Sequence, residues 1–126
     1  MAGTLVFDKW QSGDGSENFK CKAWVNFNGT GTVAIRASGN VSSITDNGVG
    51  DYTVNFTTAM PDVNYGVVGS SNLDSSFQSI VSPKVCSINN VRIKTSGLIN
   101  SGSFYYPDVA SLNNYDSEYV NISIFR

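Results

Sequence analysis

The sequence predicts an all-β fold: an antiparallel β-sandwich, jelly-roll-like or Greek-key, of about eight short strands. Three observations indicate this fold. Apolar and polar residues alternate with the period of two that is typical of half-buried strands. Turn-forming residues interrupt the alternation about every eight to twelve residues, as in sandwiches and barrels. No window combines helical spacing of apolar residues with a cap and a stop.

The first two strands are predicted to form a hairpin. In the first strand, the residues assigned to the buried face are Cys21, Ala23, Val25 and Phe27. The turn Asn28-Gly29-Thr30-Gly31 follows, and the alternation then resumes with Val33 and Ile35 on the buried face. A short loop that contains Gly between two alternating segments is a hairpin signal.

A second hairpin is predicted from Val41–Thr45 and Asp51–Thr57, which flank a turn at residues 46–50. Asp46-Asn47-Gly48 has residue types that favour turns, and Tyr52, Val54 and Phe56 alternate cleanly in the later strand. Four further segments carry β-branched or aromatic residues and are predicted strands. They are Tyr65–Gly69, Gln78–Ser82, Val91–Thr95 and Tyr119–Phe125.

The chain divides into an N-terminal strand or linker at residues 1–19 and the sandwich at residues 20–126. Gly3–Trp10 has the apolar content of a separate strand, which we expect to pack against a neighbouring subunit. Ser96–Glu118 lacks sustained alternation but is rich in tyrosine. We therefore predict a long, ordered, exposed loop there, because long loops in compact domains are functional or disordered and disordered linkers lack aromatics.

The composition argues against several classes of function. The 126 residues include no histidine, so the usual general base and the commonest transition-metal ligand are absent, and an enzyme is not expected. The formal net charge is −2 and the eight basic residues are scattered, which argues against a nucleic-acid partner. No apolar run approaches the roughly 20 residues that cross a bilayer, so membrane insertion is not expected.

Several motifs that suggest chemistry have a simpler interpretation. Residues 46–51 offer oxygen ligands for calcium but lack the remaining EF-hand positions, so a turn is preferred and neither metal nor cofactor is expected. Asp108, Asp116 and Glu118 could be a glycosidase carboxylate pair, but on an exposed loop they are expected to be solvated. Cys21 and Cys86 are expected to be reduced and buried.

The candidate binding residues lie in the predicted loop, where tyrosines offer an apolar ring with a hydroxyl tip for a sugar or a protein. The candidate ligand-binding residues are Tyr105, Tyr106, Tyr115, Asp108, Asn113 and Asn114. Trp10 and Trp24 are candidate interface residues. Trp24 alternates with Val25 and Phe27, so it packs either beneath a neighbouring loop in the core or in a subunit interface.

The run from Lys22 to Pro61 resembles a block found in bacteriophage tail-fibre-like proteins. The shared order is Lys-Ala-Trp-Val, Asn-Gly-Thr-Gly, Ile-Arg, Asn-Val-Ser-Ser-Ile and Gly-Asp-Tyr-Thr-Val-Asn-Phe, over about a third of the chain. Val91–Thr95 and Val120–Arg126 are similar to the closing strands of such fibres, so a natural C-terminus is expected. Ser70–Val85 and Ser96–Glu118 match no shared pattern.

The resemblance implies a distal, cell-facing virion domain, trimeric in many fibres, from phages of marine or aquatic bacteria. The expected function is host receptor binding. The chain is expected to form a homotrimer, to contact other virion proteins and to bind a glycan or a protein on the host surface. The virion would assemble in the cytoplasm of the host bacterium. The alternative is an architectural virion protein, such as a head decoration or fibre-attachment module, with no host ligand.

Overall fold

Nine β-strands make up the described part of the chain in the computed structural model. The structure describes residues 3–4, 6, 11–16, 19–72, 78–100 and 110–126; for residues 78–79, 97–100 and 110–113 it describes the backbone only. The strands are β1 Cys21–Asn28, β2 Ala34–Gly39, β3 Val41–Gly48, β4 Asp51–Phe56, β5 Gly66–Ser71, β6 Gln78–Cys86, β7 Asn90–Asn100, β8 Ala110–Asn114 and β9 Val120–Phe125. The described residues contain no helix.

The strands form two antiparallel sheets. The four-stranded sheet has the order β2-β1-β9-β5, and the five-stranded sheet has the order β3-β4-β7-β6 with β8 paired to β7. The pairs β1–β9, β4–β7 and β5–β9 join strands far apart in sequence, as in Greek-key and jelly-roll sandwiches. The prediction of an antiparallel β-sandwich is confirmed.

The core lies between the sheets and comes from the alternating residues of the four central strands. The buried apolar residues of these strands are Ala23, Val25, Phe27, Tyr52, Val54, Phe56, Val91, Ile93, Val120, Ile122 and Ile124. β-branched and aromatic side chains suit this pleated, buried surface. The rings of Phe27 and Tyr52 meet edge to face across the core, with centroids 5.1 Å apart.

Both predicted hairpins are present, since β1 pairs with β2 and β3 pairs with β4. In the first turn, the Asn28 side-chain Oδ1 accepts hydrogen bonds from the Thr30 backbone N–H at 2.9 Å and the Thr30 hydroxyl at 2.6 Å. In the second, Asp46 Oδ1 accepts from the Gly48 N–H at 3.0 Å. These Asx turns explain why Asn and Asp precede the glycines.

The segment Ser96–Glu118 is a loop only in part: the prediction was wrong for residues 96–100 and 110–114, whereas residues 115–118 belong to no strand. β7 continues to Asn100, and β8 pairs antiparallel with residues 96–100. Residues 101–109, between these strands, lie outside the described residues. The two strand portions escaped prediction because the β7–β8 pairing satisfies backbone groups without needing an alternating apolar face.

Two other expectations concern the cysteines and the N-terminal segment. Cys21 and Cys86 are free thiols, but Cys21 is exposed and Cys86 is half-buried, so the expectation that both are buried was wrong. β1 has a bulge between Cys21 and Ala23 where it pairs with β9, and the alternation therefore does not carry Cys21 into the core. The N-terminal segment Gly3–Trp10 lies largely outside the described residues.

Asn40 holds the corner where the chain leaves β2 in one sheet and enters β3 in the other. Its φ is 55°, in the left-handed region that Asn tolerates better than most residues. Its side-chain amide donates to the Lys22 carbonyl at 3.0 Å and the Thr58 carbonyl at 3.1 Å, and its Oδ1 accepts from the Thr58 N–H at 2.7 Å. One side chain thus ties β1 to the end of the second hairpin.

Replacing Asn40 separates the two contributions of this corner. We expect Asn40→Gly to lower the free energy of unfolding by about 1 kcal/mol through the lost hydrogen bonds. Asn40→Ala should cost about 1 kcal/mol more, because alanine pays the left-handed strain that glycine avoids. Urea denaturation measures both. Equal losses in the two variants would show that the positive φ contributes nothing.

Candidate functional site

The predicted binding residues fall into three groups in the structure. Tyr105, Tyr106 and Asp108 lie outside the described residues, as does the interface candidate Trp10. Asn113 pairs through its backbone with Gly97, and nothing is described of its side chain. Asn114 is exposed, and Tyr115 is half-buried. The structure therefore brings Asn113, Asn114 and Tyr115 together at the end of β8.

A two-stranded extension of the five-stranded sheet, which we call the arm, consists of residues 96–100 of β7 and β8. β7 pairs with β4 only through residues 90–94, and β8 takes the place of β4 beside residues 96–100. β6 pairs with β7 along both portions. The arm is therefore continuous with the sheet, and residues 101–109 join its two strands.

A cluster of hydrogen bonds, which we call the latch, fixes the chain where β8 ends. The fully buried Tyr52 donates its hydroxyl to Asp116 Oδ1 at 2.7 Å and lies 2.9 Å from the Gly29 carbonyl oxygen. Asp116 Oδ1 also accepts from the Gly50 N–H at 2.8 Å. Burial, and then the hydrogen bond to Asp116, raise the pKa of Tyr52 well above its ordinary value of 10.0, so the hydroxyl keeps its proton.

Backbone groups complete the latch. The Tyr115 N–H donates to the Thr95 carbonyl at 3.1 Å, and the Thr95 hydroxyl donates to the Tyr115 carbonyl. The Gly29 N–H donates to the Ser117 carbonyl at 2.8 Å. Residues 115–117 are thereby bonded to β7 and to the turns that follow β1 and β3. Residues 115–117, which lead from β8 towards β9, are therefore fixed by contacts with three separate parts of the chain.

Glycine is required at Gly50 by both conformation and space. Its φ is +60°, and an added Cβ would lie 2.5 Å from the Thr95 carbonyl oxygen and 2.8 Å from the Tyr115 nitrogen. Real Cβ atoms do not approach backbone so closely. The turn glycine that the sequence pattern assigned to a hairpin therefore also lets the arm approach the sandwich.

Asp116 is exposed, as expected of a loop carboxylate, but its Oδ1 also accepts two hydrogen bonds within the latch, which was not expected. Both donors come from the second hairpin, about 65 residues earlier in the chain, and no local pattern indicates them. Its role in the described structure is to hold the β8–β9 connection. Nothing in the described contacts pairs it with a second carboxylate.

The outward side of the four-stranded sheet carries three large apolar side chains, which we call the aromatic face: Trp24, Val68 and Phe125. They are 43%, 61% and 41% exposed, respectively. Trp24 pairs with Ser123, and Ser123 pairs with Val68, so these residues share one row across three strands. Of the alternatives predicted for Trp24, the core is excluded, since its side chain is on the outside.

Trp24 is held in place by the residue beside it on β2. Gly39 is its cross-strand partner, and a Cβ added to Gly39 would lie 2.4 Å from the indole Nε1 and 2.8 Å from Cδ1. The indole therefore lies over the Gly39 backbone. This is the aromatic cover that glycine in a sheet can receive from a cross-strand neighbour. Its outer surface remains open.

A row of polar side chains crosses the same face next to Trp24. The Asn26 amide donates to Asn121 Oδ1, and Asn121 lies within 3.5 Å of the Ser70 hydroxyl. Arg36 Nη1 lies 3.4 Å from Asn26 Oδ1, and its guanidinium sits 4.1 Å from the centroid of the Tyr119 ring. This row spans all four strands, and its polar groups are partners of one another.

The outward side of the five-stranded sheet carries several paired polar side chains, although Ile80 and Val85 of β6 are 39% and 53% exposed. Asn55 donates to the hydroxyls of Ser43 at 3.1 Å and Thr45 at 3.0 Å. Arg92 donates hydrogen bonds to both carboxylate oxygens of Asp51, at 2.7 and 2.8 Å. The hydrogen bond from Arg92 lowers the pKa of Asp51 below its ordinary value of 3.8.

The described residues give little support to other kinds of site. Among the described residues, no three Cys, Asp or Glu side chains are placed to hold a metal ion. Asp46 caps its own turn and Asp51 pairs with Arg92, so the turn interpretation of residues 46–51 agrees with their contacts. No helix of the described part is long and apolar enough to span a membrane.

Comparison with known proteins identifies no relative: no family model, curated protein or solved structure matches this chain. The function must therefore be inferred from the arm, the latch and the aromatic face.

Removing the Tyr52 hydroxyl tests the latch. We expect Tyr52→Phe to lower the free energy of unfolding by about 1–3 kcal/mol, because Asp116 loses the donated hydroxyl and the buried Gly29 carbonyl loses its polar neighbour. Ser117→Ala is the matched control: its hydroxyl is equally buried but has no hydrogen-bond partner among the described residues. Its removal should leave stability unchanged or raise it. Urea denaturation that ranks the two variants the other way would contradict the latch.

Proposed function

We propose that this chain is a non-enzymatic, distal domain of a bacteriophage tail fibre that binds a host-surface receptor. The sequence resemblance over Lys22–Pro61 and the closing strands supports the virion assignment. The observation that carries the binding function is the latch. It anchors the return strand of the arm to the core, and the arm carries the tyrosine-rich residues 101–109 between its strands.

Recognition by this segment has a physical rationale. Tyr105 and Tyr106 offer large, rigid side chains with few rotatable bonds, so little conformational entropy is lost when they contact a ligand. Both strands of the arm are anchored before a ligand binds. Less conformational entropy is therefore lost on binding than if the arm had to become ordered at that moment. Asp108 and the nearby Asn113 and Asn114 add polar groups suited to a glycan or a protein surface. Neither cofactor nor metal is needed for such binding.

An architectural virion module is the second candidate, and the aromatic face favours it. Exposed tryptophan, valine and phenylalanine on a rigid sheet suit a permanent protein contact rather than a reversible encounter. On this alternative the chain would join other virion proteins and bind no host cell. In both cases we propose a homotrimer located in the virion, assembled in the cytoplasm of the host bacterium.

Binding to intact candidate host cells tests the choice. Fluorescently labelled wild type should bind saturably, and a Tyr105→Ala, Tyr106→Ala double variant should lose at least about tenfold in affinity while keeping its oligomeric mass. Tyr119→Ala is the control, because Tyr119 is an exposed tyrosine outside the arm and is 45% accessible. It should bind as wild type does.

The other outcomes are equally informative. If the double variant and Tyr119→Ala lost affinity for the cells equally, recognition could not be assigned to the arm. A folded oligomer that binds no strain in a panel of aquatic bacteria would contradict receptor binding and favour the architectural candidate.

A further inference from the structure

The chain contains two Asn-Gly dipeptides, Asn28-Gly29 and Asn47-Gly48. An asparagine side chain in this context can be attacked by the backbone nitrogen of the next residue, because glycine has no side chain to hinder the approach. The attack closes a succinimide ring and releases ammonia. By sequence alone the two dipeptides are equivalent, but their surroundings in the structure differ.

Asn28-Gly29 is fixed by contacts on both of its residues. Asn28 is paired in the β1–β2 ladder, and its Oδ1 accepts hydrogen bonds from the backbone N–H and the hydroxyl of Thr30. Gly29 is buried, and its nitrogen, which would be the attacking atom, donates to the Ser117 carbonyl at 2.8 Å. A Cβ added to Gly29 would overlap the Tyr52 hydroxyl, so the residue is closely packed. The ring can therefore close there only after the latch has opened.

Asn47-Gly48 lies at the end of β3, beside the turn of the second hairpin, and both residues are exposed. The β3–β4 register runs from Asp46 directly to Gly48 and skips Asn47. Asn47 is therefore the extra residue of a bulge and is held less tightly by the ladder than its neighbours. A Cβ added to Gly48 would meet no heavy atom within 4 Å among the described residues other than its chain neighbours. The ring has space to form.

The groups around Asn47 also suit the reaction. The Gly48 nitrogen donates its hydrogen to Asp46 Oδ1 at 3.0 Å, so a carboxylate already contacts the attacking atom and can accept its proton. The Asn47 carboxamide nitrogen, which has to leave, donates to Thr53 Oγ1 at 2.8 Å at an exposed position. The attacking nitrogen thus has a base beside it, and water reaches the carboxamide.

We propose that Asn47 is a site of spontaneous deamidation and isomerisation in the folded protein, and that Asn28 is protected. The Gly48 nitrogen forms a bond to Cγ of Asn47 and passes its proton to Asp46, which returns it to solvent. The Cγ–Nδ2 bond breaks, and ammonia leaves with a proton taken from solvent. Water then adds to one of the two carbonyl carbons of the succinimide, and the ring opens to aspartate or isoaspartate. This chemistry is independent of the proposed virion function.

Isoaspartate at position 47 would disturb the latch. It adds a carbon atom to the backbone of the hairpin, and Gly50 follows in the adjoining turn. The Gly50 N–H donates to Asp116 Oδ1 at 2.8 Å, and a Cβ added there would lie 2.5 Å from the Thr95 carbonyl oxygen. So closely packed a residue cannot absorb a longer backbone without losing contacts. Conversion of Asn47 therefore weakens the anchoring of the arm.

Peptide mapping of incubated protein tests the proposal. Trypsin cleaves after Lys22, Arg36 and Lys84, so the two dipeptides fall in different peptides, and fragmentation locates the change within each. In folded wild type in mildly alkaline buffer, we expect the mass gain of amide-to-acid conversion at Asn47. Asn28 should convert at least about tenfold more slowly, because it reacts only when the latch opens. In guanidinium chloride, which removes these surroundings, the two should convert at similar rates.

Asn47→Gln is the control for the effect on the latch. Glutamine keeps a carboxamide, but its longer side chain closes the corresponding ring far less readily, so conversion at this position should stop. After equal incubation, the Gly50 amide should exchange its hydrogen faster in wild type than in Asn47→Gln. Equal exchange in the two proteins, once wild type has converted, would overturn the link between Asn47 and the latch.

Asp46→Asn tests the base. It keeps an acceptor for the Gly48 N–H but removes the charge, and it should slow conversion of Asn47 at least about tenfold. An unchanged rate, in a variant shown to be folded by far-UV circular dichroism, would remove Asp46 from the site. The proposal itself is overturned if Asn28 converts as fast as Asn47 in the folded protein. It is also overturned if Asn47 converts in guanidinium chloride and not in the folded protein.

Discussion

The buried hydroxyl of Tyr52 is the constraint on which the anchoring of the arm to the sandwich depends. Its ring belongs to the core and packs against Phe27, while its oxygen is bonded to Gly29 and Asp116. A polar atom at such a depth is costly unless it is paired. The partners come from the turn after β1 and from the connection before β9. The core, the first hairpin and the arm therefore cannot move independently without breaking these bonds.

Different parts of the sandwich carry different groups of residues. One end fixes the arm through the latch, and one broad face carries Trp24, Val68 and Phe125. On the opposite face, polar side chains are hydrogen-bonded to one another, and Asp51 forms an ion pair with Arg92.

Sequence reasoning predicted what local signals determine. Alternation with Asn-Gly and Asp-Asn-Gly turns located both hairpins, because turn chemistry and pleat periodicity act over a few residues. The same alternation placed Trp24 opposite Val25, which is its position in the structure. The sandwich class followed from the number and spacing of such segments.

What could not be predicted depends on contacts between distant residues. Asp116 resembles any loop carboxylate until Tyr52 and Gly50 are brought to it from the second hairpin. The continuation of β7 and the existence of β8 depend on their mutual pairing, which needs no apolar periodicity. The glycine beneath Trp24 and the left-handed corner at Asn40 are likewise visible only after strands are in register. The family resemblance led only to a proposed function and indicated none of this geometry.

Hydrogen exchange of backbone amides tests most directly whether the latch fixes the arm to the core. The amides of Gly29, Gly50 and Tyr115 donate to Ser117, Asp116 and Thr95, respectively. We expect them to exchange as slowly as the central amides of β4 and β7, because they open only with the sandwich. Exchange as fast as that of Gly48, whose amide donates to the side chain of Asp46 at an exposed position, would contradict the account.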